Sequence, residues 1–489
     1  MICLVISLIV IIYAAQILLY AVHMFQQNGY KNKVHLNWIK NNYLKHFTKS
    51  LSREPAKKPL VFTPRVIRLL VTTVLWFLII CLFNRFFGNE YTVLALAVIY
   101  TVLVVPFAPV ISNIINRPIE TSIANGFKKK AVALLKDMPD IKVIGVTGSY
   151  GKTSVKFYLR ELLSSKYEVL ATPESYNTPM GVVKTINEQL RPTHQIFICE
   201  MGARNVGDIK ELCDLVHPDY GIVTSIGPQH LESFKSMENI QGTKFELPDA
   251  VHNKTGDDHR IFLNYDNEYV SSYNKYPDAV TYSISGKGAY NATGITTSRS
   301  GTEFTVTAPD GSSQKFTMQL IGSHNVVNVT GAIAVSHELG IELKELVIPV
   351  RRLAPVEHRL NLIEQGMLTI IDDAYNSNPA GAGAALDTLA MFSDDMRIVI
   401  TPGMVELGEE QEKLNGIFGE QIAAAADHAV IVDNANTKAI SEGLARAGMP
   451  AERIYVAPSF TEGMQYINRI PGEAHKVVLI ENDLTDNLQ

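Results

Sequence analysis

The chain has 489 residues, of which 46% are hydrophobic and 19% charged, with a net charge of −5. That length exceeds one ordinary core and points to about three domains, while the mild acidic balance gives no footing for nucleic-acid binding. Cys3, Cys81, Cys199 and Cys213 show no CxxC or metal spacing, which argues against a disulfide framework or a zinc site.

Met1 to Phe25 carries no Asp, Glu, Lys or Arg, and a helix of that length, at ~1.5 Å per residue, exceeds the ~30 Å hydrocarbon core of a bilayer. A cleaved signal peptide is the competing reading, but the segment has no basic start and no small-residue cleavage site before Gln26. Leu69 to Asn84, lengthened by a snorkelling Arg68, and Tyr91 to Asn113, interrupted by Pro106 and Pro109, are two further uncharged runs. The expectation is a three-helix transmembrane region over 1–115, with spans near 1–25, 66–84 and 91–113, and a linker helix over 116–140. Lys31, Lys33, Lys40, Lys45, Lys49, Arg53, Lys57, Lys58 and Arg65 crowd the first loop against the single acid Glu54. Such a loop belongs on the cytoplasmic side, which puts the N-terminus outside and everything after Asn113 at the inner face of a multi-pass plasma-membrane protein, where ATP is available. The same charges read as a solvated run or as contact with anionic lipid.

"IKVIGVTG" (Ile141 to Gly148) is a β-branched run ending in glycine, and "KTSVKFYLRELLSSK" after it carries helical spacing at Val155, Tyr158, Leu159 and Leu162. In such a strand–loop–helix the backbone N–H groups of Gly148, Ser149, Gly151 and Ser154 face phosphate oxygens, Lys152 reaches the β/γ-phosphates, and the Thr153 hydroxyl can ligate Mg²⁺. The general GxxxxGK[ST] pattern would need glycine at Val146, so "TGSYGKTS" is a tighter form. Alone it would serve a transporter ATPase, a kinase, a GTPase or a ligase.

Downstream, Glu200 closes the apolar strand "IFICE" and His230 follows the strand-like "YGIVTSIG". Both side chains are expected at strand C-termini, where open α/β sheets bind ligands and where a carboxylate and an imidazole can hold magnesium beside a γ-phosphate. Thr/Val/Phe alternation over 281–320 and the turn "APDGSS" suggest antiparallel strands beside the nucleotide sheet. Near Lys344 to Ala354 a boundary is expected. Beyond it "LTIIDDAY", "MRIVITPG", "HAVIVDN", "RIYVAP" and "KVVLIEN" alternate with helices, as in a second parallel sheet. The fold class is therefore α/β: a P-loop central domain over 141–346 with a parallel sheet plus a small antiparallel one, and a Rossmann-like domain over 347–489.

The ordered set "TGSYGKTS", "NTPMG" (Asn177 to Gly181), "EMGARNVGDI" (Glu200 to Ile209), "TSIGPQHLESF" (Thr224 to Phe234), "GTKFEL" (Gly242 to Leu247), "GSHNVVN" (Gly322 to Asn328), "EHRLN" (Glu357 to Asn361), "DDAYNSNP" (Asp372 to Pro379) and "GMVELGEE" (Gly403 to Glu410) resembles the Mur ligases, most closely their MurF type. The resemblance runs from about Lys142 to the C-terminus. It implies an ATP-dependent amide ligase of cell-wall precursor synthesis, which activates a carboxylate as an acyl phosphate and joins it to an amine such as D-alanyl-D-alanine, with two magnesium ions. By the same resemblance Lys152, Glu200, His230 and Lys244 are catalytic, and Lys244 is carbamylated so that it serves, with Thr153, Glu200 and His230, as a metal ligand. Asn325 and Asn328 would be adenine-side contacts, with capping or core hydrogen bonding as rivals. Arg359 would meet the phosphates and Asp373 the ribose, while Asn177, Thr178, Tyr375, Asn376 and Asn378 would line the substrate side. For Asp372 a turn-capping role and a ligand role stand level.

The pattern departs from the family at its start, because a MurF-type enzyme opens with a soluble domain that grips the UDP moiety, and here apolar runs stand in its place. That motivates a lipid-linked or membrane-presented acceptor, including a pseudomurein-type one. The rival from another class is a membrane-tethered scaffold that binds ATP without turnover, against which the full set Lys152, Glu200, His230 and Lys244 argues.

Overall fold

Ile, Leu, Val and Phe on every side make Ile2–Gln27 and Pro64–Phe87 long apolar helices. The second starts where Thr63 Oγ1 accepts from Val66 N (3.3 Å) and Pro64 takes the first helical position, which has no use for an N–H. The computed structural model describes residues 2–44, 47, 59–87, 98–174, 176–356, 358–375, 377–472 and 474–483. Contacts divide the chain at Gly126/Phe127 into two units.

In the first unit, two helices among the described residues have the length and composition to cross a membrane, Leu8–Gln27 and Pro64–Phe83. Residues 91–97 of the third expected span lie outside the described residues. Its second half is no simple continuation of a span. Val105–Phe107 forms a 3₁₀ turn around Pro106, and a new helix begins at Ala108 and runs to Lys136, taking in most of the expected linker. Pro109 is tolerated there because it falls in the first turn. A polar seam joins this helix to Pro64–Phe87: Thr73 Oγ1 to Ser112 Oγ (2.7 Å), Trp76 Nε1 to Ser112 Oγ (3.0 Å), Thr72 Oγ1 to Asn116 Oδ1 (2.8 Å) and Arg68 Nε to Glu120 Oε1 (2.6 Å).

The second unit carries two sheets. Strands β1 (Lys142–Thr147), β2 (Val169–Ala171), β3 (Ile196–Glu200), β4 (Tyr220–Val223), β5 (Ile261–Asn264), β6 (Val280–Ser283), β7 (Tyr290–Ser298), β8 (Gly301–Thr307) and β9 (Ser313–Met318) form one nine-stranded sheet, in the order β2-β3-β1-β4-β5-β6-β7-β8-β9. Pairing is parallel from β2 through β7 and antiparallel from β7 to β9. The expected small antiparallel sheet is thus continuous with the parallel one, because β6 and β7 pair in parallel at Tyr282↔Tyr290 and Ser283↔Asn291. β1 and β3 are apolar along nearly their whole length because helices cover both faces: Lys152–Leu163 and Ser323–Glu338 on one side, Pro179–Gln189, Asp208–Val216 and Met237–Thr255 on the other.

Helix Val347–Arg351 packs back onto this first core through Val350. The second sheet starts at β10 (Asn361–Gln365) and adds β11 (Leu368–Asp373), β12 (Met396–Thr401), β13 (His428–Val432), β14 (Ile454–Ala457) and β15 (Lys476–Glu481), in the order β10-β11-β15-β12-β13-β14. Only β10 is antiparallel. Helices Gln411–Ala425 and Thr437–Arg446 meet on one face through glycines, and a Cβ at Gly443 would overlap the Gly416 carbonyl oxygen. Asn415 on the first of these helices binds Met404 through both N and O, at 2.9 and 3.0 Å, and so braces the loop after β12. Gly443→Ala therefore sets a helix-propensity gain of about 1 kcal/mol against backbone overlap costing about 1–3 kcal/mol. Overlap with backbone, which cannot swing aside, should win, and a lowered thermal midpoint is the expected outcome; an unchanged or raised midpoint would contradict this packing.

Candidate active site

The loop after β1 is fixed from both sides. Gly148 (φ +148°) and Gly151 (φ +80°) adopt backbone conformations that side chains disfavour. Neither has room for a Cβ: at Gly148 it would overlap Thr224 Oγ1, and at Gly151 it would lie 2.7 Å from Asn328 Oδ1. Ser149 N and Tyr150 N donate to Ser225 O (2.6 and 3.2 Å), and Ser149 Oγ bonds Gly227 O (3.0 Å). Behind the loop, the first-turn N–H groups of helix Lys152–Leu163 lack intrahelical acceptors, and its cap Gly151 offers no side-chain oxygen. A concave glycine loop running into uncapped N–H groups fits a phosphate.

Lys152 lies folded on that loop, its Nζ donating to Gly148 O (2.7 Å) and Ser149 O (2.8 Å). Burial pushes its pKa down to about 8, opposed by Glu200 and aided by Arg359. Ser154 turns to the Tyr158 hydroxyl, which itself donates to Asn325 Oδ1 (2.8 Å).

Glu200, at 1% exposure, is the node of the site. It ends β3 in register with Val146 of β1. Its Oε1 accepts from Thr153 Oγ1 (3.1 Å) and Asn177 Nδ2 (3.1 Å), and its Oε2 from Lys156 Nζ (2.9 Å). Lys156, also fully buried, donates further to Glu174 O. Thr178, next to Asn177, caps helix Pro179–Gln189.

The structure brings Thr153 and Glu200 together, but His230 and Lys244 have other surroundings. His230, at a positive φ of 54°, has its Nδ1 on Glu406 Oε2, and Arg204 Nη1 lies 3.6 Å from Glu406 Oε1. Lys244 is buried in helix Met237–Thr255 and makes no side-chain hydrogen bond or ion pair among the described residues. Burial, with Lys152 nearby, draws its pKa well below the usual lysine range.

Just before β10, Arg359 stacks over Tyr375 (4.4 Å), which follows β11. Both line a cavity of about 550 Å³ together with Thr153, Phe157, Arg160 and His358. Asp373 accepts from Leu360 N (3.3 Å) and faces Glu481, its register partner on β15. Burial raises Asp373 to about 6 and Glu481 well above the carboxylate range. Ser377 Oγ donates to Glu481 Oε1 (2.6 Å). Asp372 is engaged as an acceptor for Ala374 N (3.2 Å) and a partner of His358 Nδ1 (2.8 Å). Asn378 caps helix Pro379–Ala390, and Asn376 lies outside the described residues. Asn325 has both amide ends engaged, by Tyr158 and by Ile321 O (2.8 Å), whereas Asn328 packs on Gly151.

Four residues of this site escaped sequence reasoning. Lys156 follows Lys152 by one helical turn, and Glu406 and His324 stand inside motifs already noted. His324 is held near pKa 4 by burial, with Nδ1 unpartnered. Glu481 ends the apolar strand "VVLIE" as Glu200 ends "IFICE", so one signal could have found both.

Magnesium takes hard oxygen ligands and keeps several waters, and the Thr153 hydroxyl beside Glu200 Oε1 is such a pair. Among the described residues no three His, Cys, Asp or Glu side chains cluster as a metal site. The donor set therefore suits an ion that arrives with phosphate oxygens.

Residues 146–336 match the Mur ligase middle domain, and residues 358–481 the Mur ligase glutamate ligase domain. The chain is 33% identical over 280 residues to the UDP-N-acetylmuramoyl-tripeptide–D-alanyl-D-alanine ligase of Mycobacterium bovis, covering 55% of this chain and 54% of that protein. To the ligase of the same name from Escherichia coli K12 it is 30% identical over 321 residues, 63% and 68% of the two chains. The chain thus spans about half the length of the first of these relatives. The crystal structure of MurF ligase from Thermotoga maritima in complex with ADP shares the fold, with a TM-score of 0.65 at 22% identity over 74% of this chain and 80% of that one.

The Asp373–Glu481 pair has a consequence for pH. Asp373 holds its proton to higher pH when folded than when unfolded, so its contribution to stability is complete below about 4 and is lost as pH rises through about 6. Asp373→Asn should flatten the fall in thermal midpoint across that window; an unaltered slope would refute the raised Asp373 pKa.

Proposed function

The chain belongs to the Mur ligase family, and from that membership we propose that it is an ATP-dependent amide ligase joining a cell-wall precursor carboxylate to D-alanyl-D-alanine or a similar amine. The observation that carries this is the Lys152 loop set directly beside the Thr153–Glu200 oxygen pair, with Arg359, just before the second sheet, lining the same cavity as Thr153. A carboxylate oxygen attacks the γ-phosphorus, the bond to the bridging oxygen breaks, and ADP leaves. The amine nitrogen then attacks the acyl carbon, phosphate departs, and the nitrogen gives up a proton.

Catalysis of this kind is positioning plus charge neutralisation. Lys152 exchanges the Gly148 and Ser149 carbonyls for phosphate oxygens, and Arg359 meets the phosphates from the other sheet. Bound magnesium would screen the anionic reactants, with Thr153, Glu200 and His230 as ligands beside the γ-phosphate and carbamylated Lys244 for a second ion. A neutral amine is the form that adds carbon dioxide, and the burial of Lys244 favours that form. Asp373 serves the ribose and Asn328 the adenine side, while Asn325, expected there too, has both amide ends taken by Tyr158 and Ile321 and fits the core hydrogen-bonding role instead. Asn177, Thr178, Tyr375, Asn376 and Asn378 serve the reacting substrates.

The two apolar helices support a second element of the proposal. The chain is tethered to the plasma membrane with its catalytic unit in the cytoplasm, and its acceptor is lipid-linked or presented at the membrane surface. Full-length protein in detergent, given ATP, Mg²⁺ and D-alanyl-D-alanine, should release phosphate with a lipid-linked muramoyl-peptide acceptor, and Lys152→Ala should reduce release to background. Turnover of only the soluble UDP-linked acceptor would end the lipid reading, and phosphate release that survives Lys152→Ala would end the ligase reading at this site.

A further inference from the structure

Lys156 is a charged side chain at the site that has no part in the mechanism above, and it is 0% exposed. Lysine is almost never buried so completely unless paired. Its ammonium takes Glu200 Oε2 (2.9 Å), while Thr153 and Asn177 both approach Oε1 (3.1 Å each). It also donates to Glu174 O, in the loop that delivers Asn177. The two carboxylate oxygens are therefore unequal: one is held by a fixed cation inside the protein, and the other faces the hydroxyl beside the phosphate loop.

We infer that Lys156 is a positioning residue for metal binding: it holds Oε2 of Glu200 so that Oε1 is turned toward Thr153 before nucleotide arrives, and Oε1 alone is offered to the divalent cation. The inference rests on the reading of Glu200 as a magnesium ligand. Without Lys156, a carboxylate at 1% exposure would keep only the neutral donors Thr153 and Asn177, both on Oε1, and its Oε2 would lose the cation that holds it. A glutamine at 156 keeps a donor for the Glu174 carbonyl while removing the charge.

The test is a binding cycle rather than turnover. ADP affinity of the full chain in detergent is measured by calorimetry across a Mg²⁺ series, for the wild type, Lys156→Gln, Glu200→Gln and the double variant. Glu200→Gln and Lys156→Gln should each raise the half-saturating Mg²⁺ concentration by about tenfold or more, the scale on which partners of metal ligands act, and Lys156→Gln should leave metal-free ADP affinity within about twofold. Because Lys156 acts through Glu200, adding Lys156→Gln to Glu200→Gln should change the Mg²⁺ requirement by less than about twofold. An unchanged Mg²⁺ requirement in Lys156→Gln, or an equal further loss in the double variant, overturns the inference. If Lys156→Gln alone does not fold, the comparison of Glu200→Gln with the double variant still decides, since neither carries the unpaired carboxylate. A Mg²⁺ requirement that Glu200→Gln leaves unmoved would instead remove the ligand reading beneath it.

Discussion

A carboxylate buried at the C-terminal end of β3 constrains everything around it. Removing a carboxylate from water costs several kcal/mol unless it is paired and hydrogen-bonded, and Glu200 meets that demand from two separate stretches of chain. Thr153 and Lys156, three residues apart on one helix, reach its two oxygens, while Asn177 comes from the loop after β2. Positions i and i+3 share a helix face, so the rotation of helix Lys152–Leu163 about its axis is set by where β3 ends. That rotation in turn aims the uncapped N–H groups and Lys152 at the same point.

The second sheet bears on the site through a braced loop. Asn415 holds Met404 by N and O, Asn436 Nδ2 bonds Pro402 O (3.2 Å) and Met404 O (3.1 Å), and Asn482 Nδ2 bonds Gly403 O (2.7 Å). Three asparagines on separate elements thus fix the backbone that carries Glu406 to His230 and Arg204. A histidine held by Glu406 cannot orient freely, so the loop after β12 governs how His230 addresses the nucleotide sheet.

Elements with a strong period were legible in the sequence: β1, its glycine loop and the following helix stand where alternation and glycine placement put them, as do the five parallel strands of the second sheet. The join of β6 to β7 was not legible, because parallel pairing over two residue pairs leaves no pattern in composition. Pro106 and Pro109 were visible as interruptions, yet only the structure shows a helix restarting at Ala108. Lys156 was hidden for a different reason: a lysine on an amphipathic helix reads as solvated until its acid partner, 44 residues away, is known.

The two sheets solve the same problem in opposite ways. Each ends a central strand with a buried glutamate, Glu200 on β3 and Glu481 on β15, and each glutamate is met by a polar side chain just before a helix that an N-cap and a proline begin. Asn177 precedes Thr178–Pro179, and Ser377 precedes Asn378–Pro379. Glu200 has an ammonium at 2.9 Å. Glu481 faces Asp373 instead, and burial first, then the charge of Asp373, pushes Glu481 well above the carboxylate range, while burial raises Asp373 against the pull of Arg359. A carboxylate with one oxygen on an ammonium leaves the other for a cation that comes and goes, whereas Glu481 is tied to the loop by Ser377. The polar loop Asp373–Pro379 is therefore best understood as anchored by Glu481, leaving Arg359 and Tyr375 beside it as the groups that face the cavity.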